Sequence, residues 1–515
     1  MVPFFMLKSA QLGQLFGEKL AWTSRLGEGN IAGSRAFPAP LGSAGNPVRR
    51  LFLVMNRKQS RHFEVCLLGL FVIILALGAS ASAEWKEKVL YSFQGGTDGS
   101  TPAGGVVFDK AGNLYGATTD GGANNCPGIA QCGTVFQLQP PAKRGDPWTE
   151  NQLYIFKGKN SNDGETPAGG VIFDQVGNLY GTTAYGGSGA CILLGTTVGC
   201  GAVFQMTPPQ NKGGAWTETV LYSFQGGKDG YVPQGNLIFD SAGNLYGVTL
   251  YGGGFGSCNS PYYQYCGTIF ELSPPKTKGG KWKEKVLYSF KSGTDGANPN
   301  GGLVLDNKGA VYGTTYFGGS EKGECDGGVG GTGCGTVFEL KPPVKKGDAW
   351  TEKALQRFHG QDGANPSSGV IFGGNGHLYG TVSAGATNGN GAVFQLVAPT
   401  GGFGPWEETL LHRFSDGNDG TSPRGALIFD ATGDLYGTAL GGSTHRGVVF
   451  RLKPPKGGNS WPLTVLYNLT GSPDGDHPTA NLTFDGRGNL YSTTEWGGTG
   501  QPCEGGCGTV FEVEP

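Results

Sequence analysis

Three sets of side chains in this 515-residue sequence have the type and spacing for chemistry. The first is cysteine. Ten of the eleven cysteines fall into five local pairs: Cys126/Cys132, Cys191/Cys200, Cys258/Cys266, Cys325/Cys334 and Cys503/Cys507. Zinc would need four ligands in one place, and each pair offers two. An even number in local pairs reads instead as disulfides closing surface loops in an oxidising compartment. The second set is seven aspartates, each followed by glycine and then, within a few residues, by proline: Asp98, Asp163, Asp229, Asp295, Asp362, Asp419 and Asp474. Such a residue caps a turn through its own carboxylate. A ring of seven around a channel mouth would alternatively bind a hydroxyl-rich ligand or a cation such as calcium, the one cofactor this pattern suggests. The third set is aromatic: Tyr185, Tyr251, Phe317 and Trp496, where rings could stack on sugars or pack between sheets. No histidine lies at metal-ligand spacing from another, and no nucleophile elbow, HExxH or phosphate loop is present. No catalytic residue is assigned.

These residues occupy fixed places in a repeat. The stretch Gly104–Thr119 (GGVVFDKAGNLYGATT) returns from Gly169, Gly235, Gly301, Gly369, Gly425 and Ala480. Each copy is an apolar run, a tight Asp/Gly/Asn turn and a second run rich in aromatic and β-branched residues, which is a β-hairpin signature. Tryptophans 85, 148, 216, 282, 350, 406 and 461 recur every 55–68 residues. Each opens a strand-like run typified by Trp282–Phe290, and a fourth run, typified by Gly335–Leu340, closes the unit at a Pro-Pro pair. Four short strands per unit, seven units and no helical period predict an all-β, seven-bladed β-propeller of four-stranded antiparallel blades.

The phase of the repeat predicts how the ring closes. The GGLIFD-type run is placed innermost and the tryptophan run outermost. The last unit then lacks its outer strand, and Trp85–Phe93 is available to supply it, sealing two open edges. Loops sort onto two faces. One carries the Asp-Gly segments and the cysteine loops. The other carries the tight turns and the Pro-Pro segments with Lys143, Arg144, Lys212, Lys276, Lys278, Lys345, Lys346 and Lys456, and is expected to be basic.

Glycine (97) and proline (30) are numerous enough to suggest disorder, but their periodicity makes them turn residues. The net charge of −2 argues against nucleic acid as partner. Residues 56–62 are basic, 65–78 apolar, and 79–83 small, which is a secretory signal with cleavage after Ala83. The expected organisation is residues 1–54 as a mis-called start or disordered leader, 55–83 as signal peptide, and 84–515 as one propeller. Any membrane association would run through an uncleaved signal.

The pattern GGLIFDxxGNLYGTTxxGG…GTVFEL, preceded by W-T-E-x-V-L-Y-S-F, resembles the tandem GloVer repeat of exported bacterial proteins, also called choice-of-anchor tandem repeat GloVer-containing proteins. The resemblance covers nearly all of residues 85–515. It implies export and often a surface anchor, and brings no established activity. The expectation is a secreted, periplasmic or cell-surface monomer that acts as a binding or scaffold module for extracellular or envelope polysaccharide, or for another envelope protein. A carbohydrate-active hydrolase or lyase using loop-face carboxylates is the first alternative, and a purely structural surface protein the second.

Overall fold

The computed structural model describes residues 84–515, apart from 123–131, 255–265, 321–324, 326–332, 458–460 and single positions 144, 194, 212, 387, 403, 416 and 502. The leader and signal expected over 1–83, with Cys66, lie outside the described residues, as do Cys126, Cys258, Arg144 and Lys212. Among the described residues, no helix is long and apolar enough to cross a membrane.

The chain folds as a seven-bladed β-propeller of four-stranded antiparallel sheets. In the third blade the inner strand is Tyr231–Phe239, followed outward by Leu245–Tyr251, Thr268–Ser273 and Lys283–Ser289. The order matches the expected phase. The seventh blade combines Thr483–Phe484, Leu490–Thr494 and Thr509–Glu514 with Lys86–Ser92 as its outer strand. That strand pairs from Lys86↔Glu514 to Ser92↔Thr509, so the two ends of the propeller are zipped together.

The core follows from two positions per repeat. The phenylalanine that follows six of the seven outer strands packs edge-on against the third-strand phenylalanine of the next blade, and Leu469 takes the seventh place. Phe93–Phe136, Phe156–Phe204 and Phe224–Phe270 have centroids 5.1 Å apart, and the rings are essentially inaccessible. Each ring burial is worth roughly 2–3 kcal/mol. At the axis, glycine lets the blades converge. A Cβ on Gly104 would lie 1.8 Å from the Gly170 nitrogen, one on Gly169 would lie 2.4 Å from the Gly235 oxygen, and one on Gly301 would lie 2.2 Å from the Gly369 nitrogen. The contacts run on through Gly425 to the Ala480 oxygen (2.5 Å) and Gly105 to the Asn481 oxygen (2.5 Å). Neighbouring backbones touch at this level, and any side chain would hold them apart.

The face bearing the Pro-Pro segments is less basic than expected. Lys143, Lys276, Lys278, Lys345, Lys346 and Lys456 are exposed there. The same face carries the inner-hairpin turns with Asp109, Asp174, Asp240, Asp306, Asp430 and Asp485. Both signs of charge are therefore interspersed.

Candidate functional site

The opposite face is built on a latch repeated at every blade boundary. The residue before the inner-strand proline adopts the left-handed conformation in all seven repeats: Thr101, Thr166, Val232, Asn298, Asn365, Ser422 and His477, with φ between 45° and 60°. Its N–H donates to a carbonyl of the preceding blade. Thr101 bonds Cys507, Thr166 bonds Cys132, Val232 bonds Cys200, and His477 bonds Arg446, at 2.9–3.1 Å. The proline then seats on the glycine after that carbonyl residue, as Pro233 does on Gly201. Left-handed backbone at a β-branched residue costs about 1–2 kcal/mol, so the interblade bond must hold it there.

The cysteines serve the same boundary. Cys191–Cys200, Cys325–Cys334 and Cys503–Cys507 are disulfides with Cα separations of 5.0–5.2 Å. Cys132 and Cys266 are disulfide-bonded as well. The second cysteine of each pair supplies the carbonyl that receives the latch in five of the seven boundaries.

The seven aspartates lie toward the outer strands. Asp163 accepts the Tyr154 hydroxyl (2.7 Å), the Lys157 N–H (2.8 Å) and the Gly164 N–H (2.6 Å). Asp98, Asp229, Asp295 and Asp474 accept Tyr91, Tyr222, Tyr288 and Tyr467 in the same way. Asp362 takes Gln356 and the His359 N–H, and Asp419 takes His412 at 3.0 Å. They cap the turns into each blade. Among the described residues, no three His, Cys, Asp or Glu side chains converge as a metal site requires.

Beside six of these aspartates stands a glutamate that the sequence pattern alone did not single out: Glu87, Glu150, Glu218, Glu284, Glu352 and Glu408, each from the Trp-x-Glu of the following outer strand. One carboxyl oxygen of each is buried and unpaired. Burial, then the adjacent aspartate, pushes them up to about 8, and Glu150 to about 7. At neutral pH the acid form is favoured at five of them, and Glu150 is close to half protonated. The seventh boundary has Leu463 instead, and there His412 replaces the tyrosine on Asp419. Burial opposes ionisation of Asp419, but bonds from Ser415 and His412 hold it below the usual range.

The expected aromatics divide. Tyr185 and Tyr251 are buried, at 3% and 8% exposure, and Tyr251 packs on Tyr231 with centroids 5.2 Å apart. Phe317 meets Tyr316 edge-on at 4.7 Å, and Trp496 lies 4.3 Å from the His477 ring. Both are partly exposed.

Next to them, the repeat breaks. The residue after the inner proline is Ala103, Ala168, Gln234, Asn300, Ser367, Arg424 or Thr479. The residue that ends the Thr-Thr run is Thr119, Ala184, Leu250, Tyr316, Ser383, Leu440 or Glu495. Arg424 is lowered by burial, offset by the charges of Glu495 and Tyr316, and its Nε has no partner. Tyr316 is raised by burial and eased by Arg424 and a bond from Ser383. Glu495 accepts Thr479 Oγ1 at 2.7 Å. Asp120 is pushed up to about 6 by burial, against a bond from Thr101 and with Glu495 nearby. These groups come from blades four, five, six, seven and one. Blades four and six are not neighbours, so their side chains can interact only near the axis. The result is a polar arc around the loop-face mouth. No catalytic motif announces it. Its signal in the sequence is variability at positions flanked by repeated ones.

Among solved structures, the PQQ-bound aldose sugar dehydrogenase of Streptomyces coelicolor is similar at 13% identity, with a TM-score of 0.39 over 84% of this chain and 98% of that one. PhoX of Pseudomonas fluorescens, in complex with vanadate, gives 10% identity and 0.40 over 84% and 95%. No curated protein matches the chain. The Gloeobacter/Verrucomicrobia repeat matches residues 79–260, 191–342 and 323–515, and the chain belongs to that family.

Proposed function

We propose that this propeller is an exported, non-enzymatic recognition module whose loop-face mouth binds a hydroxyl-rich polymer, an extracellular or envelope polysaccharide. The observation that carries this reading is the break in the repeat. Side chains that hold blades together recur in five to seven of the repeats. Those at the mouth differ from blade to blade and bring together Tyr316, Ser383, Arg424, Glu495 and Asp120. A guanidinium with an unpaired Nε beside acids and hydroxyls offers donors and acceptors at close range, as hydroxyl-rich ligands require. The disulfides support an oxidising location. Phe317 and Trp496 flank the arc and supply aromatic surface.

The test is binding to an array of immobilised bacterial polysaccharides. Saturable binding to at least one polymer is expected, weakened at least about tenfold by Arg424→Ala and by Glu495→Gln without loss of thermal stability. No binding, or binding indifferent to both substitutions, would overturn the reading.

One observation favours an enzyme instead. Asp120 is pushed up to about 6 by burial with Glu495 close by, so two carboxyl groups share the mouth. That is the condition for paired general acid and base work on a glycosidic bond. Release of reducing ends from the bound polymer, abolished by Asp120→Asn, would select this reading.

A further inference from the structure

We propose a second, separate ligand site on the outer rim, a cleft between the first and second blades that binds one neutral sugar ring. The cleft has a volume of about 590 Å³ and is lined by Tyr154, Lys157, Asn162, Asp163, Trp216 and Glu218, among others. That is within the range of small-ligand sites and ample for one pyranose.

The cleft owes its wall to a departure from the repeat. From the last outer-strand residue to the loop aspartate, most boundaries count alike: Phe93 to Asp98, Phe224 to Asp229, Phe290 to Asp295, Phe414 to Asp419, Leu469 to Asp474. Phe156 to Asp163 is two residues longer. The longer segment carries a 3-10 turn, Lys159–Ser161, ended by Asn162 in the left-handed conformation (φ 53°). The turn is bonded in place. Ser161 N–H and Asp163 N–H both donate to the Gly158 carbonyl, and Lys159 Nζ reaches the Gly189 carbonyl at 2.8 Å. The wall is therefore built before any ligand arrives.

The lining decides the ligand class. Trp216 offers an aromatic wall, its ring 5.9 Å from Tyr115. Glu218 contributes a carboxyl to the lining, and Asn162 an amide. A cationic ligand is disfavoured because Lys157 already holds its ammonium 5.7 Å from the Tyr154 ring centroid. An anionic ligand is disfavoured because the Asp163 carboxylate lies beneath. A neutral ring with an apolar face and hydroxyl edges satisfies all of these walls.

Leu463 occupies the place of Glu218 at another boundary, where His412 stands in place of the tyrosine. The experiment is fluorine NMR on protein labelled with fluorotryptophan, the Trp216 signal being assigned with Trp216→Phe. The probes are the methyl glycosides of glucose, galactose, mannose and N-acetylglucosamine at millimolar concentration. At least one should move the Trp216 signal saturably. Glu218→Leu, and separately deletion of Asn160 and Ser161, should weaken that response about tenfold or more. Lys157→Ala, remote from the strand packing, serves if either fails to fold. Arg424→Ala should leave the response intact. An unmoved Trp216 signal with all four probes, or a response equal in wild type and the cleft variants, overturns the site.

Discussion

The six acid–carboxylate pairs at the blade boundaries make stability depend on pH in a direction opposite to that of most proteins. Each glutamate has a folded pKa of about 7–8 against a reference of 4.5. A raised folded pKa means that the native state binds the proton more tightly than the unfolded chain. The contribution is complete below about 4.5 and is lost as pH rises through 7–8. For a fully shielded group, each tenfold difference in proton affinity between the two states is worth about 1.4 kcal/mol. These side chains are partly open to solvent, and screening reduces each to on the order of 1 kcal/mol. Six together make about 6 kcal/mol, a large share of a typical folding free energy of about 5–15 kcal/mol. Asp120 and Glu165, also raised, act in the same sense. Asp419, Asp430 and Asp476 are lowered and act only below about pH 4. The assay is scanning calorimetry from about pH 4.5 to 9, comparing wild type with the triple variant Glu218→Leu, Glu284→Leu, Glu408→Leu. The wild-type Tm should fall from about pH 4.5 to 8 and level off above, and the variant should lose roughly a third of that slope, since three of the raised carboxyls are removed. A Tm that is flat or rising between about pH 5 and 8, or equal slopes in the two proteins, refutes the reasoning.

Two further outcomes follow from the closure and the loops. Deleting residues 84–93 removes the outer strand of the seventh blade and exposes the Thr509–Glu514 edge. The truncated protein should aggregate or dimerise, as light scattering would register, whereas an equally stable monomer would contradict the closure. Reducing Cys191–Cys200 and its counterparts should lower Tm, each ring contributing roughly 2–3 kcal/mol, with no effect in a variant lacking the ten loop cysteines.

Fold and closure were legible because the repeat fixes them. Turn residues mark strand ends seven times over, and the incomplete last unit points to Trp85–Phe93 as its complement. Side-chain placement was less legible. The aspartates read first as turn caps, with a mouth ring as the alternative, and the bonds from Tyr91, Tyr154, Tyr222, Tyr288 and Tyr467 put them against the outer strands. The glutamates lie among the charged residues of the tryptophan run, where nothing in the pattern marks one carboxyl as buried. One signal was available: the repeat with Leu463 follows the repeat with His412, a paired change that marks a contact. The left-handed ring was invisible for a different reason. A residue before proline favours extended backbone, and Thr, Val and Ser disfavour positive φ. At each boundary, a carbonyl from the neighbouring blade overrides both preferences.

That override bears on the proposed recognition, because Arg424 and Thr479 sit two positions beyond strained residues. Ser422 is fixed by the Asn390 carbonyl, proline fixes the next φ, and Arg424 follows; His477, Pro478 and Thr479 repeat the arrangement. Side chains that differ between blades thus hang from backbone that does not, so strain is spent on holding the mouth in place. Val232 tests this. Its equivalents Asn298 and Asn365 tolerate the left-handed region and also donate Nδ2 to the Leu250 and Tyr316 carbonyls at 2.9 and 3.0 Å. Val232→Asn would relieve about 1–2 kcal/mol of backbone strain and add a bond to the Ala184 carbonyl worth about 1 kcal/mol. It would forfeit roughly 1.5 kcal/mol of valine burial. The balance is a gain of about 1 kcal/mol, read as a rise in the denaturant midpoint at unchanged m-value. A fall in that midpoint would mean that apolar packing, and not the interblade bond, holds the latch residue in its conformation.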